Sequence, residues 1–155
     1  MDKKELFSNI IDKIKALSES SHDRGFVLQA VCRLLKNNLP GCDWVGFYLV
    51  DDATKRELVL GPYAGEPTEH IRIPFGKGIC GQAAEVRQTF IIDDVSKETN
   101  YLSCSAKVRS EIVVPIFKAG RLVGELDIDS HTPGAFTDED DRFLKEICGA
   151  VSHLL

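Results

Sequence analysis

VVPIFKAGRLVGELDI, residues 113–128, contains two apolar runs separated by a short polar connection. The runs, Val113–Phe117 and Leu122–Ile128, have the apolar side chains that are typical of strands. The connection between them, Lys118–Arg121, contains a glycine. Two strands joined by so few residues run antiparallel, so this segment predicts a β-hairpin within an antiparallel sheet.

Further strands are predicted before the hairpin. Trp44–Val50 is apolar at successive positions, which indicates a strand that is covered on both faces. Leu58–Leu60, Phe90–Ile92 and Ile112–Val114 are shorter apolar runs of the same kind. The middle of the chain is therefore predicted to be a sheet.

Helical periodicity is found towards the two ends of the chain. Residues 3–18 repeat apolar side chains at helical spacing, and a second such segment follows Asp23 and stops before Pro40. Thr137–Asp140 resembles a capping box and predicts the start of a last helix. Strands in one central run with helices on both sides predict a layered α+β domain, residues 1–155.

Composition and charge exclude several kinds of partner. The 155 residues are 43% hydrophobic and 28% charged, which is the balance of a chain that folds. A formal net charge of −5 argues against nucleic acid or an anionic membrane as the main partner. No apolar run approaches the length of a bilayer span, so no membrane association is expected.

The cysteines form neither a disulfide framework nor a zinc motif. They are odd in number and scattered, without a CxxC pair: Cys32, Cys42, Cys80, Cys104 and Cys148. The N-terminal residues lack the apolar stretch of a secretory signal. A reducing cytoplasm is the expected compartment, and no metal or cofactor is expected.

Phe75–Ala84, FGKGICGQAA, combines three glycines with a cysteine at a predicted helix start. Backbone N–H groups at such a start suit a phosphate or carboxylate, and the helix dipole is expected to lower the pKa of the Cys80 thiol. A tight, closely packed turn explains the glycines as well, and the glycines alone favour that interpretation. Ile79, next to Cys80, is a candidate substrate contact.

Three acids are predicted to converge at one end of the hairpin. Asp127 and Asp129 share one face of their strand because side chains alternate, and Glu111 opens the partner strand near them. Such carboxyls raise one another's pKa, and they could bind an ammonium group or donate a proton in acid catalysis. A solvated strand end with turn-forming aspartates is the alternative, and the pattern leaves both open.

Two further candidates depend on their surroundings. Cys104 lies in a polar segment between predicted strands, where a cysteine is an ordinary small residue unless acids, a base or another thiol lie near it. Trp44 and Tyr48 lie on one face of their strand, either as a core pair or as the wall of a small-molecule pocket.

Four segments in order resemble the GAF domain and, more narrowly, the free methionine-(R)-sulfoxide reductases, which are single-domain GAF enzymes. The segments are CDWVGFY at 42–48, RIPFGKGICG at 72–81, SEIVVP at 110–115 and LDIDS at 126–130. The resemblance implies an antiparallel sheet of about six strands, with helices from both chain ends packed on one face. It also implies a homodimer.

The resemblance assigns roles to two of the cysteines. Cys104 matches the catalytic cysteine, which becomes a sulfenic acid, and Cys80 matches a second cysteine able to form a disulfide with it. Many members have a third cysteine ten residues before the glycine-rich one, where this chain has His70. The resemblance therefore leaves resolution to Cys80 or to an external thiol, with a thioredoxin-type protein as the reductant.

The remaining candidates also match family positions. Glu111, Asp127 and Asp129 match the acids around the sulfoxide and the substrate amine, and Trp44 and Tyr48 match the aromatics around the methyl-sulfur end. The expected function is reduction of free methionine-(R)-sulfoxide. The alternatives are a stand-alone sensor, which would bind a small molecule without consuming it, and an inactive relative kept for dimerisation.

Overall fold

The computed structural model of the chain describes residues 2–101 and 106–155. In these residues the helices are α1 Lys3–Ser20, α2 Arg24–Asn38, α3 Gly78–Val86 and α4 Asp138–Val151. The strands are β1 Trp44–Val50, β2 Glu57–Ala64, β3 Arg72–Pro74, β4 Phe90–Ile92, β5 Ser110–Lys118 and β6 Arg121–Ser130. Short 3-10 turns follow β4, at Val95–Lys97, and α4, at Ser152–Leu154.

The strands form one antiparallel sheet in the order β3-β2-β1-β6-β5-β4. The predicted hairpin is confirmed as β5 and β6, whose register brings Lys118 opposite Arg121. The turn is therefore only two residues long, and both of them, Ala119 and Gly120, have positive φ angles of 52° and 77°. Positive φ at both central residues matches the twist of the flanking strands, which is why such turns favour hairpins.

β3 is the one strand whose segment was not predicted. It has only three residues, too few to show an alternating pattern, and it ends at Pro74. It pairs at the edge of the sheet with β2, with Ile73 opposite Leu58. A proline is tolerated there because an edge strand can leave one side unpaired.

The predicted helices at both chain ends are confirmed, and they cover one face of the sheet. The core on this face combines alternate strand residues, such as Phe47 and Leu126, with Ile14 of α1, Leu28 of α2 and Ile147 of α4. Among the described residues, no helix is both long enough and apolar enough to cross a membrane. The arrangement is the one that the resemblance implied.

The opposite face is covered in part by α3. The apolar side chains there come from β1, β2, β3, β5 and α3: Trp44, Tyr48, Leu58, Ile73, Val113, Ile79, Cys80, Ala83 and Ala84. Because β1 contributes to both cores, Trp44–Tyr48 is buried at every position, as its apolar pattern predicted. The N-terminus of α3 thus lies over the central strands, where the candidate residues are found.

We expect Ile14→Ala to lower the free energy of unfolding by about 2–5 kcal/mol, because it leaves a cavity between α1 and the rest of the core. Ile14 is fully buried, whereas Lys13 beside it is exposed. Urea unfolding of both alanine variants tests this, and Lys13→Ala should stay within about 0.5 kcal/mol of the parent. Equal stability of the two variants would show that α1 is not part of the folded core.

Candidate functional site

A small cavity lies between the N-terminus of α3 and the sheet. Its volume is about 10 Å³, room for about one water molecule. Five of the eight residues that line it were predicted as site residues; the full lining is Tyr48, Ile73, Lys77, Gly78, Ile79, Cys80, Glu111 and Asp127. Strand register and α3 therefore bring Tyr48, Ile79, Cys80, Glu111 and Asp127 together.

Strand pairing places the three predicted acids on one face. Glu111 of β5 lies opposite Asp129 of β6, and Asp127 lies opposite Val113, so all three side chains face α3. All three are buried, with exposed fractions of 4%, 1% and 1% for Glu111, Asp127 and Asp129. The predicted cluster is confirmed, and the alternative of a solvated strand end is wrong.

Burial and mutual repulsion change the protonation of these acids. Burial raises the pKa of Glu111 well above its usual range, and the charges of Asp127 and Asp129 raise it further. Burial also raises the pKa of Asp127, but hydrogen bonds with Glu111 and with the Cys80 thiol lower it. Glu111 therefore keeps its proton to higher pH than an exposed glutamate does, and it shares a hydrogen bond with Asp127.

The predicted lowering of the Cys80 pKa is wrong. Burial raises the pKa of this thiol well above its ordinary value, and the charges of Asp127, Glu111, Glu125 and Asp129 raise it further. These effects outweigh the helix dipole, because the thiolate would be one more negative charge in a buried acidic cluster. Cys80 is thus a thiol, and it donates a hydrogen bond to Asp127.

The glycine-rich segment is a tight, closely packed turn, as the glycines alone favoured. Gly76 and Gly78 have positive φ angles of 89° and 62°, and a Cβ on Gly81 would lie 2.6 Å from the Pro74 carbonyl oxygen. The side chain of Asn100 bridges the turn: its Oδ1 accepts from the Gly78 N–H at 3.0 Å, and its Nδ2 donates to the Gly76 carbonyl at 2.8 Å. One of the N–H groups predicted to face an anion is therefore already satisfied by the chain.

The two predicted aromatics belong to the core and also flank the site. The Tyr48 ring lines the cavity, and its hydroxyl donates to the His70 carbonyl oxygen at 2.9 Å. Trp44 lies beside it, opposite Asp129, with a ring-centroid distance of 6.5 Å to Tyr48. Its indole N–H donates to the Glu66 carbonyl oxygen at 2.9 Å, which fixes the ring over the sheet.

Glu125 is a site residue that sequence reasoning missed. It is fully buried on β6, on the same face as Asp127 because the two are separated by two positions. No hydrogen-bond partner reaches either of its carboxyl oxygens within the described part of the chain. Burial, followed by the charge of Asp127, raises the pKa of Glu125 well above the usual range, so this carboxyl also keeps its proton to higher pH than an exposed glutamate does. The alternation of acids in GELDID was the signal that could have identified it.

Two sequence-predicted residues do not line the cavity as the structure describes it. Trp44 and Asp129 lie on the same face of the sheet, in the cross-strand row that also contains Glu111. Cys104, the predicted nucleophile, lies outside the described residues, so its loop position stays a prediction. Cys32, Cys42 and Cys148 are buried free thiols.

A much larger cleft, of about 680 Å³, lies at the other end of the sheet. Its rim carries ion pairs, including Arg56 with Glu85 at 2.8 Å and Arg72 with Asp51 at 3.5 Å. No cysteine and none of the sequence-predicted site residues are among the described residues that line it. The small cavity at α3 is therefore the better candidate for chemistry.

Comparison with known proteins identifies the family. A model of the GAF domain matches residues 21–155. The chain is 38% identical to GAF domain-containing protein A of Dictyostelium discoideum, over 94% of this chain and 89% of that protein. It is 36% identical to the free methionine-R-sulfoxide reductase of Escherichia coli, over 100% of this chain and 92% of that protein.

A solved structure agrees with these relatives. The free methionine-R-sulfoxide reductase of Neisseria meningitidis, in complex with its substrate, superposes with a TM-score of 0.93. It is 36% identical, and the match covers 99% of this chain and 90% of that one. The chain belongs to the GAF domain family, and the predicted GAF-like fold is confirmed. Within this family, proteins named as free methionine-R-sulfoxide reductases are among its relatives.

We expect Glu125→Gln to reduce the loss of stability that accompanies rising pH. A carboxyl whose pKa is raised by folding binds its proton in the folded chain at pH values where the unfolded chain has lost it. Stability therefore falls as pH rises from the ordinary glutamate pKa, about 4.3, to the raised one. Glu111, Glu125 and Asp127 all contribute in this direction.

Urea unfolding between about pH 5 and pH 7 measures the slope of the free energy of unfolding against pH. Removing one such group should make the slope shallower by about 1.4 kcal/mol per pH unit. Glu146→Gln, at an exposed position of α4, is the matched control and should leave the slope as it is. A slope unaltered in Glu125→Gln would show that Glu125 does not hold an extra proton in the folded protein.

Proposed function

We propose that this protein reduces free methionine-(R)-sulfoxide, with Cys104 as the nucleophile. The observation that carries the proposal is the buried acid pair Glu111–Asp127, hydrogen-bonded to the Cys80 thiol beneath α3. An acid that keeps its proton here can protonate the sulfoxide oxygen, and the neighbouring Cys80 thiol can resolve the oxidised nucleophile. The identity of 36% with the Escherichia coli reductase, over 100% of this chain, supports the same activity.

In the first step the Cys104 thiolate attacks the sulfoxide sulfur while Glu111 donates its proton to the sulfoxide oxygen. The S–O bond of the substrate breaks, and methionine leaves with its sulfur reduced by two electrons. The protonated oxygen is transferred to the Cys104 sulfur as the bond between the two sulfurs breaks, so Cys104 loses those two electrons and becomes a sulfenic acid. Asp127 accepts a hydrogen bond from Glu111, which supports the transfer by orienting the acid.

In the second step Cys80 resolves the sulfenic acid. Its sulfur attacks the sulfenic sulfur, a disulfide forms, and the oxygen leaves as water. The thiol of Cys80 must lose its proton in this step, and its hydrogen bond to Asp127 provides an acceptor for that proton. A dithiol protein of the thioredoxin type then restores both thiols by exchange.

The position of Asn100 supports a meeting of Cys104 with Cys80. Asn100 is tied by two hydrogen bonds to the turn that begins α3, and Gly78 in that turn is two residues before Cys80. Four residues of chain reach at most about 14 Å, so the length of chain after Asn100 allows Cys104 to meet this turn. A disulfide requires Cα atoms about 4.4–6.8 Å apart, which lies within that range.

The acids also support selection of a free amino acid. A methionine within a polypeptide lacks the α-ammonium group, which carboxylates such as those of Asp127 and Asp129 would attract. The cavity is no larger than a water molecule, so the side chains around it must move apart before a methionine sulfoxide binds. A homodimer and a reducing compartment, such as the cytoplasm, complete the proposal.

A single-turnover assay tests the activity. Reduced protein mixed with each configuration of free methionine sulfoxide should release methionine from the R form only, in about one equivalent per chain. Cys104→Ser should release none, because no thiolate attacks the sulfur. Release by Cys104→Ser at the parent rate would overturn the assignment, and release from neither form would favour a sensor that binds a small molecule without consuming it.

Cys80→Ser should separate the two steps. The variant should still release its first equivalent of methionine but lose one thiol per chain rather than two, because the sulfenic acid remains unresolved. Repeated turnover with a dithiol reductant should be slowed at least tenfold. Cys148→Ser, at a buried cysteine of α4, is the control and should lose two thiols as the parent does. Loss of two thiols in Cys80→Ser would assign resolution to another cysteine.

A further inference from the structure

The cavity beneath α3 brings three metal-binding side chains together. The Cys80 Sγ, one carboxyl oxygen of Glu111 and one of Asp127 all lie within 4.8 Å of one another. Ligands of a tetrahedral zinc ion, each about 2.0–2.3 Å from the metal, are about 3.3–3.8 Å apart. A small inward movement of these side chains would therefore place all three around one ion.

Two buried carboxyl oxygens of this group have lone pairs that could bind a metal ion. No N–H group or alcohol within the described ranges donates to Oε1 of Glu111 or Oδ1 of Asp127. Both side chains are almost completely buried, at 4% and 1% exposed. Buried oxygens without such donors are costly, so a ligand that supplies positive charge there would be stabilised.

The group also lacks a cation. Of the ion pairs between described residues, none involves Glu111, Glu125 or Asp127. Lys77 lines the cavity, but its side chain is exposed to solvent. Buried carboxyls are normally paired or bound to metals. Here, among the described residues, Glu111 and Asp127 have hydrogen bonds only with acids and with the Cys80 thiol, and the Glu125 carboxyl has no partner.

The donor atoms select the kind of ion. A thiolate with carboxylates suits zinc or cobalt, whereas magnesium and calcium prefer oxygen ligands alone. Three protein ligands leave a fourth position for water, and the cavity of about 10 Å³ beside them has room for one. We infer that the reduced protein binds one zinc-like divalent cation through Cys80, Glu111 and Asp127.

Binding would replace the protons of Cys80 and Glu111, which pass to solvent as the metal enters. Insofar as the proposed function holds, the metal would also inhibit it, since the same ion occupies the proton donor and the resolving thiol. Zinc would thus protect the reduced form from oxidation. Metal binding itself does not depend on the reaction.

Cobalt(II) is the probe, because a thiolate ligand gives it a charge-transfer absorption band in the near ultraviolet. The titration is done on reduced Cys104→Ser protein, so that the predicted nucleophile contributes no ligand. The band should saturate at one cobalt per chain and disappear when zinc is added. In the same background, Cys80→Ser should abolish the band and Asp127→Asn should weaken cobalt binding at least tenfold.

Cys148→Ser is the matched control, since it removes a buried thiol far from the cluster and should leave the band intact. Circular dichroism of each variant checks that it is folded. A band that survives Cys80→Ser in folded protein, or metal uptake well below one per chain, would overturn the proposal. If Cys80→Ser does not fold, an undiminished affinity in Asp127→Asn would overturn it equally.

Inhibition is tested separately on the parent protein. Zinc should suppress methionine release in the single-turnover assay, and a chelator should restore it. Protein that releases no methionine with or without zinc, yet binds cobalt through Cys80, would contradict the proposed function and leave the metal site standing. Full activity with zinc bound would contradict the inhibitory role.

Discussion

The register of β6 between β1 and β5 is the constraint on which the site depends. It sets Asp127 opposite Val113 and Asp129 opposite Glu111, so that acids from two strands face α3 together. A slip of one residue would reverse every side chain of β6. Leu126 and Ile128 would then leave the helical core, and the acids would enter it. The same pairing thus secures the apolar core and defines the polar cluster.

Burying this cluster lowers the free energy of unfolding, and the same burial favours the neutral form of its acids. Buried carboxyls are unfavourable, and among the described residues no ion pair reaches Glu111, Glu125 or Asp127; burial favours their protonated forms instead. The surrounding apolar packing of Tyr48, Ile79 and Val113 gives the same place low polarity. Low polarity around the acids raises the pKa of Glu111, so it keeps its proton at pH values where an exposed glutamate would be ionised.

Local patterns were sufficient to predict the hairpin, the end helices and the shared face of Asp127 and Asp129, since each follows from spacing along the chain. The resemblance to a known family supplied the expected number of strands and the roles proposed for Cys80 and Cys104. The pKa of Cys80 was predicted wrongly because the helix start is local, whereas the opposing burial and charges come from β5 and β6. Glu125 was missed although it follows the same alternation, because acids were sought only at the strand ends. β3 could not be predicted because three residues are too few to show an alternating pattern.

The position of Trp44 determines what its fluorescence reports. It is the only tryptophan of the 155 residues, and its indole stacks on Tyr63 with 5.5 Å between ring centroids. The ring also covers Gly46 and Gly65, where a Cβ would lie 2.3 Å and 2.6 Å from indole atoms, so it has little freedom to rotate. Its fluorescence therefore originates at one fixed place, next to Asp129 and Tyr48. The emission of the native chain reports on the surroundings of the acidic cluster without any added label.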